Sequence, residues 1–352
     1  MLIYFILLVI VVILANGYDR SKSGIYLIFI LLFMTLLAGL RDVNVGTDSW
    51  SYYFQFDDRT LWTNFNFFEN LTQEVGFKAL LWLSQVLGSN YCVLFTLVAG
   101  VVYSLTLIGI KKYSDSMLIS LFVYITLGQY AFCFNGERQA LAIAIYILAI
   151  QYIKSRDFKK YCLIVLIAAL FHKTIIVAIP LYFLFIKEVN MKTAVYIVIS
   201  SITLTLLLPS LLEFASKLES RYANYDESTG DAGLLLMFAY NIITIFFMYS
   251  RKYIEIDKLQ FFDVCLLMFI AGSTIFTIVL TAGIYIEVSR FASYFHISAI
   301  FLWPMILHSK MPKKFFFISV AYFLGHLSFM YVYYNKMAGL SPYIFNRSLF
   351  LN

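Results

Sequence analysis

Apolar runs long enough to cross a bilayer recur from one end of this 352-residue chain to the other, and that recurrence dictates the fold class before any single residue is weighed. Inside hydrocarbon every backbone N–H and C=O must find a partner within the protein, and a helix achieves this by itself. Hydrophobic residues make up 62% of the chain and charged residues 13%, against about 25% charge in soluble domains. The expectation is an all-α, polytopic membrane protein forming a single integral-membrane domain over residues 1–352. Residues 2–15 have no basic residue ahead of them and no small-x-small cleavage signature behind, so they read as the first span rather than a cleaved signal. Cys92, Cys133, Cys162 and Cys265 all lie in apolar segments without CxxC or Cys/His spacing, so neither a zinc site nor a disulfide is expected.

Twelve spans account for the apolar segments, roughly 1–15, 24–40, 90–110, 116–134, 138–154, 158–171, 174–187, 191–212, 232–250, 260–282, 290–307 and 313–335. With both termini outside, the inner loops hold 16 of the 26 Lys and Arg residues and six acidic ones, a net charge of +10, while the outer side nets −3 and Asp263 lies within a span. This obeys the positive-inside rule at every inner loop. It requires that "EVGFKALLWLSQVL", residues 74–87, not cross, since a thirteenth span would put Lys111 and Lys112 outside. That segment is short for a crossing and reads as an interfacial or re-entrant helix on the outer face. The longest polar stretches, 41–89 and 213–231, become the substrate-facing outer loops.

In "FNGERQALAIAIYILA", Asn135-Gly136 ends one span and Glu137-Arg138-Gln139 begins the next at the outer surface. A helix N-terminus carries partial positive charge and disfavours a cation. The same oddity recurs where His172-Lys173 opens "FHKTIIVAIP" and where Arg290 opens the span in "EVSRFASYF". A phosphate shared between each helix end and its cation would account for all three placements. The rival reading pairs Arg138 with Glu137 or Asp48, pairs Arg290 with Glu287, and lets Lys173 snorkel to the interface. Arg41, ending the second span, suits a helix C-terminus on placement alone.

Asp48, Glu74 and Glu137 are the outer carboxylates that could deprotonate a hydroxyl as a general base. For Asp48 the alternative is an Asx-type turn or helix cap. His172 is a further catalytic candidate, whereas His296 and His326 lie within spans, where a helix–helix hydrogen bond is the commoner role. Tyr52 and Tyr53 belong to an aromatic cluster in the 41–89 loop that suits either sugar stacking or bedding into lipid headgroups, and the loop alone does not choose.

An arginine closing span 2, then "VGTD" and tyrosines, "EVGF", "NGERQALA", "LFHKTIIVAIPLYFL" and "SRFASYF", in that order from about residue 40 to 295, resembles the EpsG/Wzy-type family of bacterial exopolysaccharide and O-antigen polymerases. The insertion of Lys173 between His172 and Thr174 departs from the family's His-Ser or His-Thr pair. The resemblance implies a multi-pass protein of the bacterial cytoplasmic membrane. It would transfer the growing glycan from undecaprenyl pyrophosphate to a new lipid-linked repeat unit on the outer side. Arg138 and Arg290, with Arg41, Gln139 and Lys173, would bind the pyrophosphate. Tyr52, Tyr53 and Tyr294 would contact glycan, and Asp48, followed by Glu74 and Glu137, would be the base. No metal or cofactor and no nucleic acid is implied; the partners are lipid-linked oligosaccharides, membrane lipids and a chain-length regulator. A flippase for lipid-linked oligosaccharide, a glycan ligase and a membrane O-acyltransferase are the alternatives. A flippase would place charges deep in a central cavity between two similar halves, and no internal repeat is found.

Overall fold

The computed structural model describes residues 1–58, 74–216, 231–282, 286–309 and 316–346. Helices account for almost all of them, and the one β-bridge joins Arg41 to Phe345. Contacts divide the chain into two compact units: Met1–Leu148 with Leu166–Lys173 and Pro312–Asn352, and Ala149–Val165 with Thr174–Met311.

The first unit is built from α1 (Leu2–Ser21), α2 (Gly24–Gly39), α3 (Ser49–Asp57), α4 (Val75–Leu87), α5 (Cys92–Tyr113), α6 (Met117–Thr126), α7 (Gln129–Asn135) and α8 (Glu137–Ile147). Within it, α1 packs on α2 and α6, α2 on α5, and α5 on α4 and α8. Helix α1 exposes Ile6, Val9 and Ile13, and α2 exposes Ile28, Leu32 and Leu36. Those spacings give each an apolar outer stripe of the kind that faces lipid. Helix α8 is the opposite: every residue except Arg138 is buried. The unit's central helix therefore presents one uncovered side chain, at its start.

The second unit contains α9 (Ile150–Lys154), α10 (Ala178–Phe185), α11 (Met191–Ser216), α12 (Asp231–Ser250), the long α13 (Ile256–Thr281), and the short pair α14 (Ser293–His296) and α15 (Ala299–Leu307). Helix α13 is its buried centre, contacted by α10, α11, α12, α14 and α15. A hydroxyl chain threads this core: Thr244 donates to Ser273 Oγ at 2.9 Å, and Ser273 lies 3.3 Å from His296 Nε2. In the first unit Thr126 Oγ1 lies 2.7 Å from His326 Nδ1. Both buried histidines thus take the helix–helix hydrogen bonds expected of them.

Each of the twelve expected spans is helical where described, but membrane crossing is supported for fewer. Four helices are long and apolar enough to cross: Leu2–Ser21, Cys92–Tyr113, Gly233–Tyr253 and Ile256–Thr281. Two bent pairs raise the number to six, Met117–Thr126 with Gln129–Asn135 at 43° and Ser289–His296 with Ala299–Leu307 at 42°. The expected spans over 24–40 and 174–187 are shorter apolar helices. Of residues 74–87, Val75–Leu87 form a helix whose buried stripe of Phe77, Lys78, Leu81, Ser84 and Gln85 follows helical spacing. The four cysteines are free. Of the two expected substrate-facing loops, residues 59–73 and 217–230 lie outside the described residues.

A feature with no sequence signal is the C-terminal segment of the first unit. Residues 338–346 run along residues 40–46, with Asp42 N–H donating to the Ile344 carbonyl at 2.9 Å, Gly46 N–H to Gly339 at 2.8 Å and Asn346 N–H to Leu40 at 2.9 Å. The Tyr4 and Tyr343 hydroxyls donate to the Leu340 and Leu37 carbonyls.

Candidate functional site

The site grows from the helix break at Asn135-Gly136. Asn135 Oδ1 accepts from Thr47 N–H at 2.9 Å, and its amide donates to the Ala338 carbonyl at 2.8 Å. One side chain thereby docks the "VGTD" turn and the C-terminal segment against the start of α8. Gly46 makes the turn possible: its φ is +102°, and a Cβ there would sit 2.8 Å from Asn135 Oδ1 and 2.9 Å from the Phe134 carbonyl oxygen.

The turn leads into α3, whose buried face is Ser49, Tyr52 and Phe56, the spacing of one helical stripe, while Trp50 and Phe54 are exposed. Tyr52 reaches the start of α8, where its hydroxyl oxygen accepts from Glu137 N–H at 3.0 Å and hydrogen-bonds with Arg138. Gln85 of α4 donates to the carbonyls of Phe56 and Asp58, fastening the two helices together. Asp48 stands at the N-cap position of α3, but its side chain caps nothing there and accepts instead from Thr47 Oγ1 at 2.9 Å.

Behind α3 lies a fully enclosed ion pair. Arg41 and Glu137 are both 0% exposed, with Arg41 Nη2 3.1 Å from Glu137 Oε1. The Arg41 guanidinium also donates to the Ala38 carbonyl and, at 3.4 Å, to Ser49 Oγ. Its faces are covered by the rings of Phe95, at 3.7 Å, and Phe134, at 4.6 Å. A guanidinium so enclosed positions the helices around it and offers no surface to a phosphate. Burial pushes the Glu137 carboxyl up to about 7 against the pull of Arg41, and Glu137 Oε2 accepts no hydrogen bond from the described residues.

In front of this pair sits Glu74, at the N-cap position of α4. Its carboxylate turns away from its own helix and is shared among three donors. Oε2 lies 2.9 Å from Arg138 Nη1, and Oε1 lies 3.2 Å from His172 Nδ1 and 3.4 Å from Lys173 N–H. Burial alone would raise this carboxyl; the His172 hydrogen bond and the Arg138 and His172 charges outweigh it and hold it at about 2. The start of α4 is fixed to the 170–173 segment by Gly76 N–H, which donates to the Leu170 carbonyl at 2.7 Å. A Cβ at Gly76 would stand 2.8 Å from that carbonyl oxygen. Gly76→Ala is thus expected to push α4 off the segment and loosen the Glu74 contacts. The expected cost is about 1–3 kcal/mol, measured as a lower melting temperature of the solubilised protein.

The low Glu74 value has a pH consequence. Its folded-state carboxyl titrates near 2, below the ordinary 4.5. The stability it contributes is fully present above 4.5 and is lost as pH falls toward 2. It amounts to on the order of 3 kcal/mol. Melting curves of the wild type at pH 7 and pH 3 are expected to show this acid limb, and Glu74→Gln is expected to flatten it.

The pairings differ from those the sequence suggested. Arg138 pairs with Glu74 rather than with Glu137 or Asp48, and Glu137 pairs with Arg41. Adjacent helical residues point about 100° apart, so Glu137 turns into the core while Arg138, 25% exposed, turns out. Of the three cations expected to open helices, Arg138 alone opens an α-helix of three turns. Lys173 begins the short 3-10 segment Lys173–Val177 and has an exposed side chain, and Arg290 lies inside the 3-10 segment Ile286–Ala292. The helix-dipole argument therefore bears on Arg138 above the other two. Gln139 is buried, and Tyr53 packs edge-on against Trp50 and Tyr91. Tyr294, with Arg290, belongs to the second unit, where its hydroxyl lies 2.8 Å from Thr174 Oγ1. Ser49, Phe95 and Phe134 support the site without any signal in the sequence, and Asn135 is marked there only by the Asn-Gly break before α8. Among the described residues no three His, Cys, Asp or Glu side chains come together as a metal site would require.

No curated protein and no solved structure matches the chain. A sequence model of the EpsG family does, over residues 24–345, a range that contains α2 through the C-terminal segment and every side chain of the Arg41–Glu137 and Glu74–Arg138–His172 groups. The chain belongs to the EpsG family, a Wzy-type, polymerase-like family.

Proposed function

We propose that this protein polymerises lipid-linked oligosaccharide repeat units into an O-antigen, capsular or exopolysaccharide chain. It would act as a twelve-span protein of the bacterial cytoplasmic membrane, with both termini and the site on the outer side. The observation that carries the reading is the Glu74–Arg138–His172 group at the start of a buried helix. A guanidinium set there and partly exposed suits a pyrophosphate.

In this reading the pyrophosphate of an undecaprenyl-linked glycan docks on Arg138 and the Lys173 side chain. A hydroxyl of the incoming lipid-linked repeat attacks the anomeric carbon, and the bond from that carbon to the pyrophosphate oxygen breaks. The positive side chains stabilise the charge that develops on the leaving oxygen, so the step asks for no metal. Glu74 is shared among three donors and strongly ionised, which suits it to hold Arg138 and His172 in place. Tyr53 and the exposed Trp50 and Phe54 offer aromatic faces to sugar or lipid. A chain-length regulator is the expected protein partner.

Purified protein in lipid nanodiscs, given lipid-linked repeat units alone, is expected to produce a ladder of products spaced by one repeat. Failure of well-folded protein to extend any repeat would overturn the reading.

A further inference from the structure

The three outer carboxylates considered as the base are each committed elsewhere. Glu137 is enclosed with Arg41 at 0% exposure. Glu74 spends both oxygens on Arg138, His172 and Lys173, and a carboxylate held at about 2 is a weak proton acceptor. Asp48 accepts from its neighbour's hydroxyl.

His172 is placed differently. Its Nδ1 faces Glu74 Oε1 at 3.2 Å, and the carboxylate's other oxygen is anchored by Arg138. An ionised carboxylate can only accept, so the proton on a neutral imidazole must sit on Nδ1, which leaves the Nε2 lone pair exposed. The ring is partly open to the surface at 22% exposure, and Nε2 meets no hydrogen-bond donor or acceptor among the described residues.

We propose that His172 Nε2 is the general base that takes the proton of the attacking sugar hydroxyl, with Glu74 as the positioning residue that sets the tautomer and ring orientation. The assignment rests on the polymerase reading above. The new bond forms between the acceptor oxygen and the anomeric carbon, and the bond from that carbon to the pyrophosphate oxygen breaks, its electron pair going to the leaving group. The hydroxyl proton passes to Nε2. The resulting imidazolium is stabilised by Glu74 and returns its proton to the released lipid pyrophosphate or to water, restoring the neutral ring. Arg138, the other charged side chain bonded to Glu74, serves the leaving group.

The test uses the full-length protein in nanodiscs. In [15N]histidine-labelled wild type, with the His172 signals assigned by their loss in His172→Ala, the Nδ1–H tautomer is expected to dominate at neutral pH; a dominant Nε2–H tautomer would overturn the assignment independently of any activity. His172→Ala is expected to slow ladder formation by at least about 100-fold while binding lipid-linked repeats within about threefold of wild type. Added imidazoles are expected to restore part of the rate, the more basic ones restoring more. Wild-type ladders with a His172→Ala rate within about threefold of normal, or a loss that no imidazole restores, would overturn His172 as the base and leave the polymerase reading standing. Wild-type protein that builds no ladder would overturn the polymerase reading and this assignment with it.

Discussion

Arg41→Ala is expected to cost about 3–5 kcal/mol of stability, because it leaves the Glu137 carboxylate buried without its counter-ion. Both side chains are completely enclosed, so water cannot replace the lost partner. The stacking of the guanidinium on Phe95 and Phe134 disappears as well, a further ~0.5–2 kcal/mol for each ring. Set against a typical total of about 5–15 kcal/mol, this is enough to deplete folded protein from membrane extracts. Size-exclusion chromatography and melting of the solubilised variant measure it. Arg41→Met combined with Glu137→Gln is expected to recover much of the loss, because no bare charge is then left inside. A surface phosphate ligand would behave oppositely: its removal would alter stability by no more than about 0.5 kcal/mol while abolishing activity. An Arg41→Ala protein of normal stability would therefore contradict the enclosed-pair account.

Arg138→Ala is expected to leave the protein folded and to stop polymerisation. Cells expressing it at wild-type levels are expected to carry single repeat units and no long polymer. Removing one preorganised donor to a developing oxyanion costs about 100- to 1,000-fold in rate, and Arg138 is the charged side chain that α8 leaves uncovered. Arg138→Lys is expected to restore little. A single ammonium cannot reproduce the planar fork that engages Glu74 and Tyr52 while facing an anion. Unchanged chain length in Arg138→Ala cells would remove Arg138 from the mechanism.

The contrast between these two arginines marks what was legible in the sequence. Both stand at span ends: placement alone suited Arg41 to a helix C-terminus, the resemblance added it to the pyrophosphate ligands, and its complete enclosure with Glu137 speaks against that second role. Helices over nearly every apolar run followed from hydropathy, because hydrocarbon leaves the backbone no other local solution. The bends at 127–128 and 297–298 did not follow, since hydropathy carries no information on backbone angles. Nor did the partners of the charged groups. Arg41 finds Glu137 across 96 residues and Arg138 finds Glu74 across 64, and such contacts are set by how helices pack. His172 and Glu74 were each visible as polar interruptions in apolar sequence. That they face one another depends on Gly76 lying against Leu170, an approach that no spacing rule encodes.

The strap of residues 338–346 along residues 40–46 sets a timetable for the site. A membrane protein emerges from the ribosome N-terminus first, so α1 to α8 are made long before that strap exists. Until residues 338–339 arrive, the "VGTD" turn lacks the Gly339 carbonyl that receives Gly46 N–H, and Asn135 lacks the Ala338 carbonyl that receives its amide. The start of α8 is thus held in its final arrangement only once Ala338, 203 residues after Asn135, has been made, so the site is assembled late although its helices are made early.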